Sequence, residues 1–472
     1  MNLRPYSKYK DSGVPWLGQV PKDWVNYPGL AVLKEKQVRN TGLKEKTVLS
    51  LSYGKIKVKS LEKMHGLVPE SFETYQIVEP GDIIIRATDL QNDKTSLRTG
   101  KVKDKGIITS AYLRLKPQPA FDKDYAHALL HGLDLVKVFY GMGSGLRQNL
   151  SWIDFKRMPF FLPPLPEQNQ IARYLDWKTV QIAKFIKDKK RMIELLKEQK
   201  QVIINDAVTG KIDVTTGKPY HKYKDSGVEW LGQVPDGWTM FPLKTACIIQ
   251  TGITLGKIYN TNYTKRYPYL RVANVQAGYL NLFNVKSIEV LSVEAERSML
   301  RSGDVLMTEG GDPDKLGRGC VWNSEIDPCL HQNHIFAVRP NRNLLLPSFL
   351  SKILSSEYSK EYFLRTSKQT TNLASTNKTT IGKFRIPIPT IEQQEYILHA
   401  LSKRFSSLDL VISRTEREIG LMQEYRDRLI ADVVTGKLDV RGIAVPEELE
   451  ELPAEDADEE PDEMENDEEE EA

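Results

Sequence analysis

The sequence has few cysteines and no long hydrophobic run. Three cysteines among 472 residues provide no disulfide framework, which is typical of a protein from a reducing compartment. No stretch of eighteen or more apolar residues exists that could cross a membrane as a helix. The opening residues, MNLRPYSKYKDSG, lack the apolar core of a secretory signal. These absences predict a soluble, cytoplasmic protein.

Motifs of catalysis are also missing. The sequence contains no GxxxxGK[ST] phosphate loop, no Asn-Pro-Pro-Tyr-type base-methylation motif and no convincing nuclease centre of paired carboxylates with a lysine. The glycine-rich stretch Gly141–Gly145 follows a predicted helix rather than a strand, so we do not expect a nucleotide-binding loop there. We predict no catalytic residue and no bound cofactor.

Two groups of histidines and cysteines raise the question of a metal. One group lies within a single stretch: Cys320, Cys329, His331 and His334. Its C-x8-C-x-H-x2-H spacing fits no common structural zinc site. His127 and His131 are four apart on a predicted helix, without the Glu that a zinc protease needs. We therefore expect packing histidines, buried cysteines and no metal site.

The charge is distributed unevenly. Seventeen of the 63 acidic residues follow Pro446, so residues 1–446 carry 66 basic and 46 acidic side chains. A body this basic is typical of a protein that binds a polyanion. The acidic tail, residues 442–472, is predicted to be disordered. Its role is either solubility or weak competition with the polyanion.

The chain contains an internal repeat. Tyr9–Trp24 and Tyr223–Trp238 agree at thirteen of sixteen positions, at an offset of 214. Asn205–Val214 recurs as Ala431–Val440 at an offset of 226. Shorter matches lie between these segments: Glu167-Gln168 with Glu392-Gln393, and GDIII from Gly81 with GDVLM from Gly303. The sequence thus comprises two tandem halves.

Two apolar stripes with 3-4 spacing precede the repeated VTGK. They are Leu175, Ile182, Ile186, Ile193, Leu196 and Ile203, and then Leu401, Phe405, Leu408, Ile412, Ile419, Met422 and Leu429. This spacing predicts two helices of about 35–40 residues that pack on each other. Prolines at 163–166 and 387–389 limit each helix at its start, and Gly210 and Gly436 end it.

Residues 25–160 and 239–385 combine short β-rich runs with one or two helices, which predicts an α+β globule in each half. We divide the chain into a first globular domain (1–160), a first long helix (161–214), a second globular domain (215–385), a second long helix (386–441) and the tail (442–472).

Polar and basic loops in each globule are candidates for binding a polyanion. Basic groups contact phosphates, amides recognise base edges, and tyrosines stack. The candidates are Lys94 and Arg98; Arg147, Gln148 and Asn149; Lys257, Asn260, Tyr263, Lys265 and Arg266; and Lys368 and Gln369. The loops 143–151 and 366–375 occupy matching places in the two halves. Ordinary solvated loops have a similar composition, and Tyr267 and Tyr269 also fit a core.

The arrangement resembles the DNA specificity subunits of type I restriction-modification systems. The resemblance covers essentially all of residues 1–446 and depends on three motifs. These are YKDSGVxWLGx(I/V)PxxW in each half, PPLxEQ at Pro163–Gln168 with a looser match at Pro389–Gln393, and VTGK(I/L)D at Val208–Asp213 and Val434–Asp439.

This resemblance implies an α+β protein of two tandem, pseudo-twofold-related halves. Each would be a target-recognition domain followed by a long helix, with the two helices in an antiparallel coiled coil that holds the domains apart. The domains would bind a bipartite, asymmetric target in double-stranded DNA. Two methylation subunits would dock on the helices and restriction and motor subunits would join through them. S-adenosylmethionine, ATP and Mg would belong to those partners.

Two alternatives come from other classes of protein. One is a self-contained methyltransferase-nuclease with duplicated recognition domains, against which the missing methylation motif argues. The other is a coiled-coil scaffold that binds proteins only.

The repeated segment itself is predicted to be structural. Trp16, Trp24, Trp230 and Trp238 are interpreted as apolar contacts that fix each globule to the helices. The second copy follows a VTGKID, whereas the first has no helix before it. If the halves are equivalent, the first copy packs beside Val434–Asp439.

Overall fold

The computed structural model describes residues 3–59, 71–145, 148–256, 259, 263–311, 317, 319–369 and 374–448. The chain divides into two compact units. Unit 1 comprises Met1–Lys190 and Arg417–Ala472, and unit 2 comprises Arg191–Glu416. Within the described ranges, no helix is both long and apolar enough to cross a membrane.

Unit 1 contains twelve named strands and three short or medium helices in its described part. In chain order they are β1 (Tyr9–Asp11), β2 (Gln19–Pro21), β3 (Val25–Pro28), α1 (Gly29–Val32), β4 (Leu33–Glu35), β5 (Leu49–Ser52), β6 (Lys55–Val58), β7 (Gln76–Val78), β8 (Ile83–Ile85), β9 (Thr99–Lys101), β10 (Gly106–Ile108), β11 (Leu113–Pro117), α2 (Lys123–Leu135), α3 (Trp152–Arg157) and β12 (Pro159–Leu162). The long helix α4 (Leu165–Thr209) begins in unit 1 and ends in unit 2.

Unit 2 has a similar order of elements. They are β13 (Tyr223–Asp225), β14 (Gln233–Pro235), β15 (Thr239–Pro242), α5 (Leu243–Ala246), β16 (Cys247–Thr251), β17 (Thr264–Leu270), β18 (Lys286–Leu291), α6 (Ser292–Arg297), β19 (Val305–Thr308), β20 (Gly310–Gly311), β21 (Gly319–Val321), β22 (Leu330–His331), β23 (Ile335–Pro340), α7 (Pro347–Leu354), α8 (Glu357–Thr366), β24 (Lys368–Gln369), β25 (Ala374–Ser375), α9 (Lys378–Lys383) and β26 (Arg385–Ile388). The second long helix, α10 (Ile391–Val434), begins in unit 2 and ends in unit 1.

The central sheets of the two units are equivalent. Unit 1 has the order β4-β11-β8-β9 and unit 2 has β16-β23-β19-β21, all antiparallel. A buried Asp precedes the central strand in each: Asp82 accepts a hydrogen bond from Arg114 Nε at 2.7 Å, and Asp304 accepts one from Arg339 Nε at 2.6 Å. The two globules are therefore more similar in structure than the loose GDIII–GDVLM match in sequence indicates. Different apolar residues can form the same strands of a sheet.

Both long helices are longer than the predicted 35–40 residues. α4 has 45 residues and α10 has 44, because each begins about ten residues before its apolar stripe. Pro166 lies in the first turn of α4, where no hydrogen-bonded N–H is needed. The predicted stripe residues are buried or half-buried throughout, so the helix seam is confirmed.

The match of Glu167-Gln168 to Glu392-Gln393 is wrong by one residue. Gln168 donates to the carbonyls of Ala120 and Pro163 at 3.0 and 2.9 Å. The same contacts in unit 2 are made by Gln394, which donates to Leu344 and Pro389 at 2.9 and 3.0 Å. The equivalent of Gln168 is therefore Gln394, at the same offset of 226 as the VTGK repeat.

The long helices pack together in antiparallel fashion. In unit 1, Lys189 on α4 forms an ion pair with Glu418 on α10 at 2.7 Å. In unit 2, Lys200 on α4 pairs with Asp409 on α10 at 2.5 Å. The partner number on α10 falls as the number on α4 rises, which defines the antiparallel direction. The predicted coiled-coil arrangement of these two helices is confirmed.

The repeated sixteen-residue segment packs against the end of a long helix. In unit 1, Pro21 and Trp24 lie beside Gly436, just past the end of α10, and in unit 2 Pro235 and Trp238 lie in the same way beside Gly210. Trp24 and Trp238 are each 1% exposed, as predicted for apolar contacts. The prediction is wrong for Trp16 and Trp230, which lie in the turns before β2 and β14 and are 42% and 38% exposed.

The N-terminal segment closes unit 1 without a covalent link. Tyr9 donates from its hydroxyl to the Gly436 carbonyl at 3.1 Å, and Arg4 forms an antiparallel bridge with Asp439. The corresponding hydroxyl in unit 2, on Tyr223, donates to the Lys211 carbonyl at 2.9 Å. The predicted packing of the first copy beside residues 434–439 is confirmed.

Residues 442–446, predicted as the start of the disordered tail, are packed on α4. Gln170 donates to the Ile443 carbonyl at 2.7 Å, and Arg173 donates to the Pro446 carbonyl at 2.9 Å. Ile443 and Val445 contact the apolar core of unit 1. The remainder of the tail, from residue 449, lies outside the described residues.

Candidate nucleic-acid interface

Two loops of unit 1 meet at the end of its central sheet. The loop 86–98 follows β8, and the hairpin 140–150 follows α2. The Leu150 N–H donates to the Ala87 carbonyl at 2.8 Å, and the Asp89 N–H donates to Asn149 Oδ1 at 2.9 Å. Two of the sequence-predicted loops therefore form one surface.

Unit 2 has the equivalent surface. The loop 309–319 follows β19, and the Thr376 N–H donates to the Glu309 carbonyl at 2.9 Å. β20 pairs with β25, which pairs with β24, so the described residues 368–369 and 374–375 lie beside residues 310–311. The described ends of the predicted loops 143–151 and 366–375 lie at equivalent places in the two units.

Arg98 is not a surface residue. Its side chain is 0% exposed, and its guanidinium donates to the carbonyls of Thr88 at 2.7 Å and Asp89 at 3.2 Å and to Tyr140 Oη at 3.1 Å. The five N–H groups of an arginine lie in a planar fork that spans several carbonyls of one loop, whereas a lysine has three donors on a single nitrogen. Arg98 holds the loop 86–98 in place instead of facing a DNA strand, which corrects its predicted role.

The other predicted residues of unit 1 differ in exposure. Lys94 is exposed at the tip of the loop 86–98, and Asn149 is exposed while bonded to Asp89. Gln148 is half-buried, and its amide donates to the carbonyls of Tyr140 and Met142 at 2.7 and 2.8 Å. Gln148 therefore shapes the hairpin. Arg147 lies outside the described residues.

The predicted residues of unit 2 fall into two places. Lys368 is exposed on β24 beside the loop 309–319. Gln369 is also in β24, but its side chain is outside the described part. The other described candidates are exposed: Tyr263 immediately before β17, and Lys265 and Arg266 near its start.

Two further predicted residues, Lys257 and Asn260, lie outside the described residues. Of the two tyrosines that also fitted a core, Tyr269 is 1% exposed and donates to the Ile253 carbonyl at 3.0 Å. The core interpretation is therefore correct for Tyr269.

Sequence reasoning missed one prominent loop of unit 2. The loop 271–285 joins β17 to β18 and carries Tyr279, 63% exposed, and Phe283, 99% exposed. It also missed the basic hairpin of β5 and β6 in unit 1, where Lys55 and Lys59 are exposed. The alternation of lysines and apolar residues in KIKVK predicts the second strand of that hairpin. No sequence pattern predicts that Phe283 is exposed.

The histidine and cysteine groups do not form a metal site within the residues that the structure describes. Cys320 and Cys329 are 3% and 1% exposed, and burial raises the pKa of each thiol to about 12. His331 is buried with its Nδ1 3.2 Å from the Ser298 carbonyl, and His334 Nδ1 lies 2.5 Å from Glu309 Oε2. Each histidine has a different neighbour, so they do not converge on one point.

His127 and His131 stack on each other in α2, with ring centroids 5.8 Å apart. Burial, together with the neighbouring His131 and Lys101, lowers the pKa of His127 to about 3. Burial likewise lowers the pKa of His131 to about 4. Both rings are therefore neutral at pH 7 and act as packing groups.

This pair predicts that unit 1 loses stability in mild acid. The unfolded chain takes up protons near the ordinary histidine pKa of 6.5, whereas the folded pair does not until about pH 4. The contribution is complete above about pH 6.5 and decreases as the pH falls toward 4. We expect a loss of roughly 1–2 kcal/mol per histidine between pH 7 and 5, measured by urea unfolding. His127→Leu should reduce this dependence, and a change at the exposed His399 should not.

Arg98 and Lys94 give a second prediction about unit 1. Arg98→Ala leaves several buried carbonyls without a donor and should destabilise the unit by about 3 kcal/mol or more. Lys94→Ala removes an exposed side chain from the same loop and should change the stability by less than about 0.5 kcal/mol. Urea unfolding of both variants measures the difference. Equal stabilities would contradict the assignment of Arg98 as the residue that organises the loop.

Comparison with known proteins matches residues 235–419 to the family described as type I restriction modification DNA specificity domain. The specificity subunit of the type I restriction enzyme EcoBI from Escherichia coli is 23% identical over 279 residues, covering 59% of this chain and 58% of the relative. That of EcoKI, from Escherichia coli K12, is 20% identical over 293 residues, covering 61% and 60%. The chain spans about half to three-fifths of the length of these curated relatives.

A solved structure supports the fold. A chain from a structure concerned with complex assembly and conformational transition of the type I R-M system has a TM-score of 0.61 and 15% identity, covering 89% of this chain and 99% of the other.

Proposed function

We propose that the chain is a DNA specificity subunit of a type I restriction-modification system, the non-catalytic subunit that recognises the DNA target. Each unit binds one half of a bipartite site in double-stranded DNA. Because the recognition loops of the two units differ in sequence, the two half-sites differ and the target is asymmetric.

One observation carries this proposal. The two units are built alike, and each brings described residues of two polar loops together at the same end of its central sheet: 87–89 with 149–150, and 309–311 with 374–376. A repeated framework with different loops is what two recognition events of different specificity require. The basic body, with 66 basic and 46 acidic residues in 1–446, supplies attraction to phosphates.

Catalysis belongs to partner subunits under this proposal. The sequence lacks the motifs of base methylation and of phosphate-loop ATP hydrolysis. S-adenosylmethionine, ATP and Mg would then be bound by methylation and restriction subunits. This chain selects the DNA target. Each mismatched base pair in the site weakens the free energy of binding by roughly 1–3 kcal/mol.

We further propose that the helices carry two equivalent docking surfaces for methylation subunits, with restriction and motor subunits joining through them. In unit 1 the helix pair exposes Phe185 and Leu421, by 37% and 55%. In unit 2 it exposes Val411 and Leu195, by 37% and 48%. The offset of 226 relates Phe185 to Val411 and Leu195 to Leu421. Equivalent exposed apolar side chains on the unit 1 part and the unit 2 part of α4 and α10 support the binding of two copies of one partner.

Long-read mapping of methylated adenines tests the proposal. Cells with the chain and its methylation subunits should methylate an asymmetric bipartite sequence, and deletion of the gene for this chain should abolish that methylation. An unchanged methylation pattern would contradict the proposal. Methylation or cleavage of DNA by the purified chain alone would instead support the self-contained enzyme.

A further inference from the structure

The loop 271–285 of unit 2 is a short, well-braced hairpin. Val275 pairs with Leu280 in an antiparallel bridge, and the Gln276 N–H donates to the Tyr279 carbonyl at 3.0 Å. The turn between them contains Gly278 in a left-handed conformation. These contacts fix the turn of the loop.

A buried asparagine fixes the base of this loop. Asn274 is 3% exposed, and its amide donates to the carbonyls of Asn281 at 2.8 Å and Asn284 at 3.3 Å. Its Oδ1 accepts from the Arg271 N–H at 2.8 Å. Four apolar side chains of the loop pack on the core around Trp322: Val275, Leu280, Leu282 and Val285.

The outer side of the loop has a different composition. Phe283 is 99% exposed and Tyr279 is 63% exposed. Asn281, Asn284 and Lys286 are exposed beside them. A phenylalanine ring normally gains stability by burial, so a fully exposed ring on an ordered loop favours a role outside the folded chain.

The loop lies at the end of unit 2 where the candidate interface is found. The Gly278 N–H donates at 2.9 Å to the carbonyl of Gly319, the first residue of β21. β21 pairs with β19, which leads into residues 309–311 of the candidate interface. The Gln332 N–H donates to the Leu270 carbonyl at 2.9 Å, which brings a further polar residue to the same end.

We propose that Phe283 enters a groove of the DNA at the half-site recognised by unit 2 and specifies base pairs there. Asn281 and Asn284 recognise base edges on either side of the ring, and Lys286 contacts a phosphate. An asparagine amide pairs with adenine N6 and N7, and an aromatic ring packs on a thymine methyl or between two base steps. The half-site of unit 2 therefore contains A·T pairs. This inference rests on the proposed function.

The chemistry around the ring favours DNA over a protein partner. A protein-binding surface has an apolar centre of several side chains, whereas the exposed neighbours of Phe283 in sequence include two asparagines and a lysine. The matched DNA specificity domain, residues 235–419, includes this loop.

Adenine-methylation mapping with the full set of subunits tests the inference, using Phe283→Ala. We expect the variant to methylate the wild-type sequence at least tenfold less efficiently, or to accept other bases at one or two positions of one half-site. The half-site of unit 1 should stay unchanged. Val293→Ala, a truncation of an exposed apolar residue elsewhere in unit 2, should match the wild type.

Binding by the purified complex to a target in which uracil replaces thymine distinguishes the two contacts. A methyl contact makes the wild type sensitive to this replacement and Phe283→Ala insensitive. Insertion between base steps leaves both insensitive, with the variant weaker on either DNA. Wild-type specificity and efficiency of Phe283→Ala would overturn the inference, as would a failure of this variant to co-purify with methylation subunits. Absence of any wild-type methylation would instead overturn the proposed function.

Discussion

The double variant Leu195→Glu, Leu421→Glu is expected to fold normally and to lose assembly with methylation subunits. Both leucines are exposed, at 48% and 55%, so their replacement removes little packing within the chain. Docking of a partner would bury them, and each buried leucine contributes roughly 1.5–3 kcal/mol. Loss of both should weaken assembly by at least about a hundredfold.

The two substitutions affect equivalent surfaces, one in each unit. Leu195 and Leu421 are related by the offset of 226, so a partner that occurs in two copies loses the same contact twice. Size-exclusion chromatography of the co-expressed subunits measures assembly directly, and adenine-methylation mapping measures its consequence. We expect methylation to disappear at every site, because a change in docking affects no half-site in particular.

A matched control separates docking from charge. Gln199→Glu with Ser413→Glu introduces the same two negative charges at exposed polar positions of the same helices. This control should assemble and methylate as the wild type does. If both double variants lost assembly equally, charge repulsion would explain the result and the docking surface would be wrong. If neither lost it, the helices would not be where the methylation subunits bind.

Periodic features were predictable from the sequence, and the details of loops were not. The stripes from Leu175 and Leu401 repeat over several turns, so burial along one helix face follows from the spacing alone. The register of Gln168 was missed because two consecutive glutamines, Gln393 and Gln394, match it equally well by identity. Hydrogen bonds to the carbonyls of Leu344 and Pro389 decide between them.

Individual loop residues depend on tertiary contacts that a sequence does not display. Arginine is a residue type that often binds phosphates, yet the guanidinium of Arg98 donates hydrogen bonds to buried carbonyls of its own loop. Phenylalanine is a residue type that is usually found in the core, yet in this loop Leu282 and Val285 pack on the core and Phe283 is exposed. Arg98 is buried although arginines are usually exposed, and Phe283 is exposed although phenylalanines are usually buried. Both lie at the candidate interface.

Gly210→Ala and Gly436→Ala are expected to destabilise the protein both by backbone strain and by a steric clash at the two helix ends. Both glycines have a positive φ, +74° and +76°, so an alanine costs roughly 1–2 kcal/mol in backbone strain. The added methyl also meets the repeated segment. It would lie 2.3 Å from Pro235 Cδ in unit 2 and 2.4 Å from Pro21 Cδ in unit 1. Such overpacking typically adds 1–3 kcal/mol.

Two other glycines isolate the steric part of this effect. Gly217 in unit 2 and Gly42 in unit 1 have φ values of +70° and +77°, with no atom within 4 Å of an added methyl. Their alanine variants should lose only the backbone part. Urea unfolding should therefore place Gly210→Ala about 1–3 kcal/mol below Gly217→Ala. Equal losses would mean that the ring of Pro235 yields without cost.

This comparison also tests why the sixteen-residue segment occurs twice. Its proline and its second tryptophan enclose the glycine at a helix end, Pro21 and Trp24 around Gly436 and their equivalents around Gly210. A space with no room for one methyl group tolerates few sequences, whereas the loops at the candidate interface face solvent and tolerate many. If the steric penalty is measured in both units, the identity of the two segments follows from packing at the helix ends, and the choice of DNA bases is left to the loops that differ.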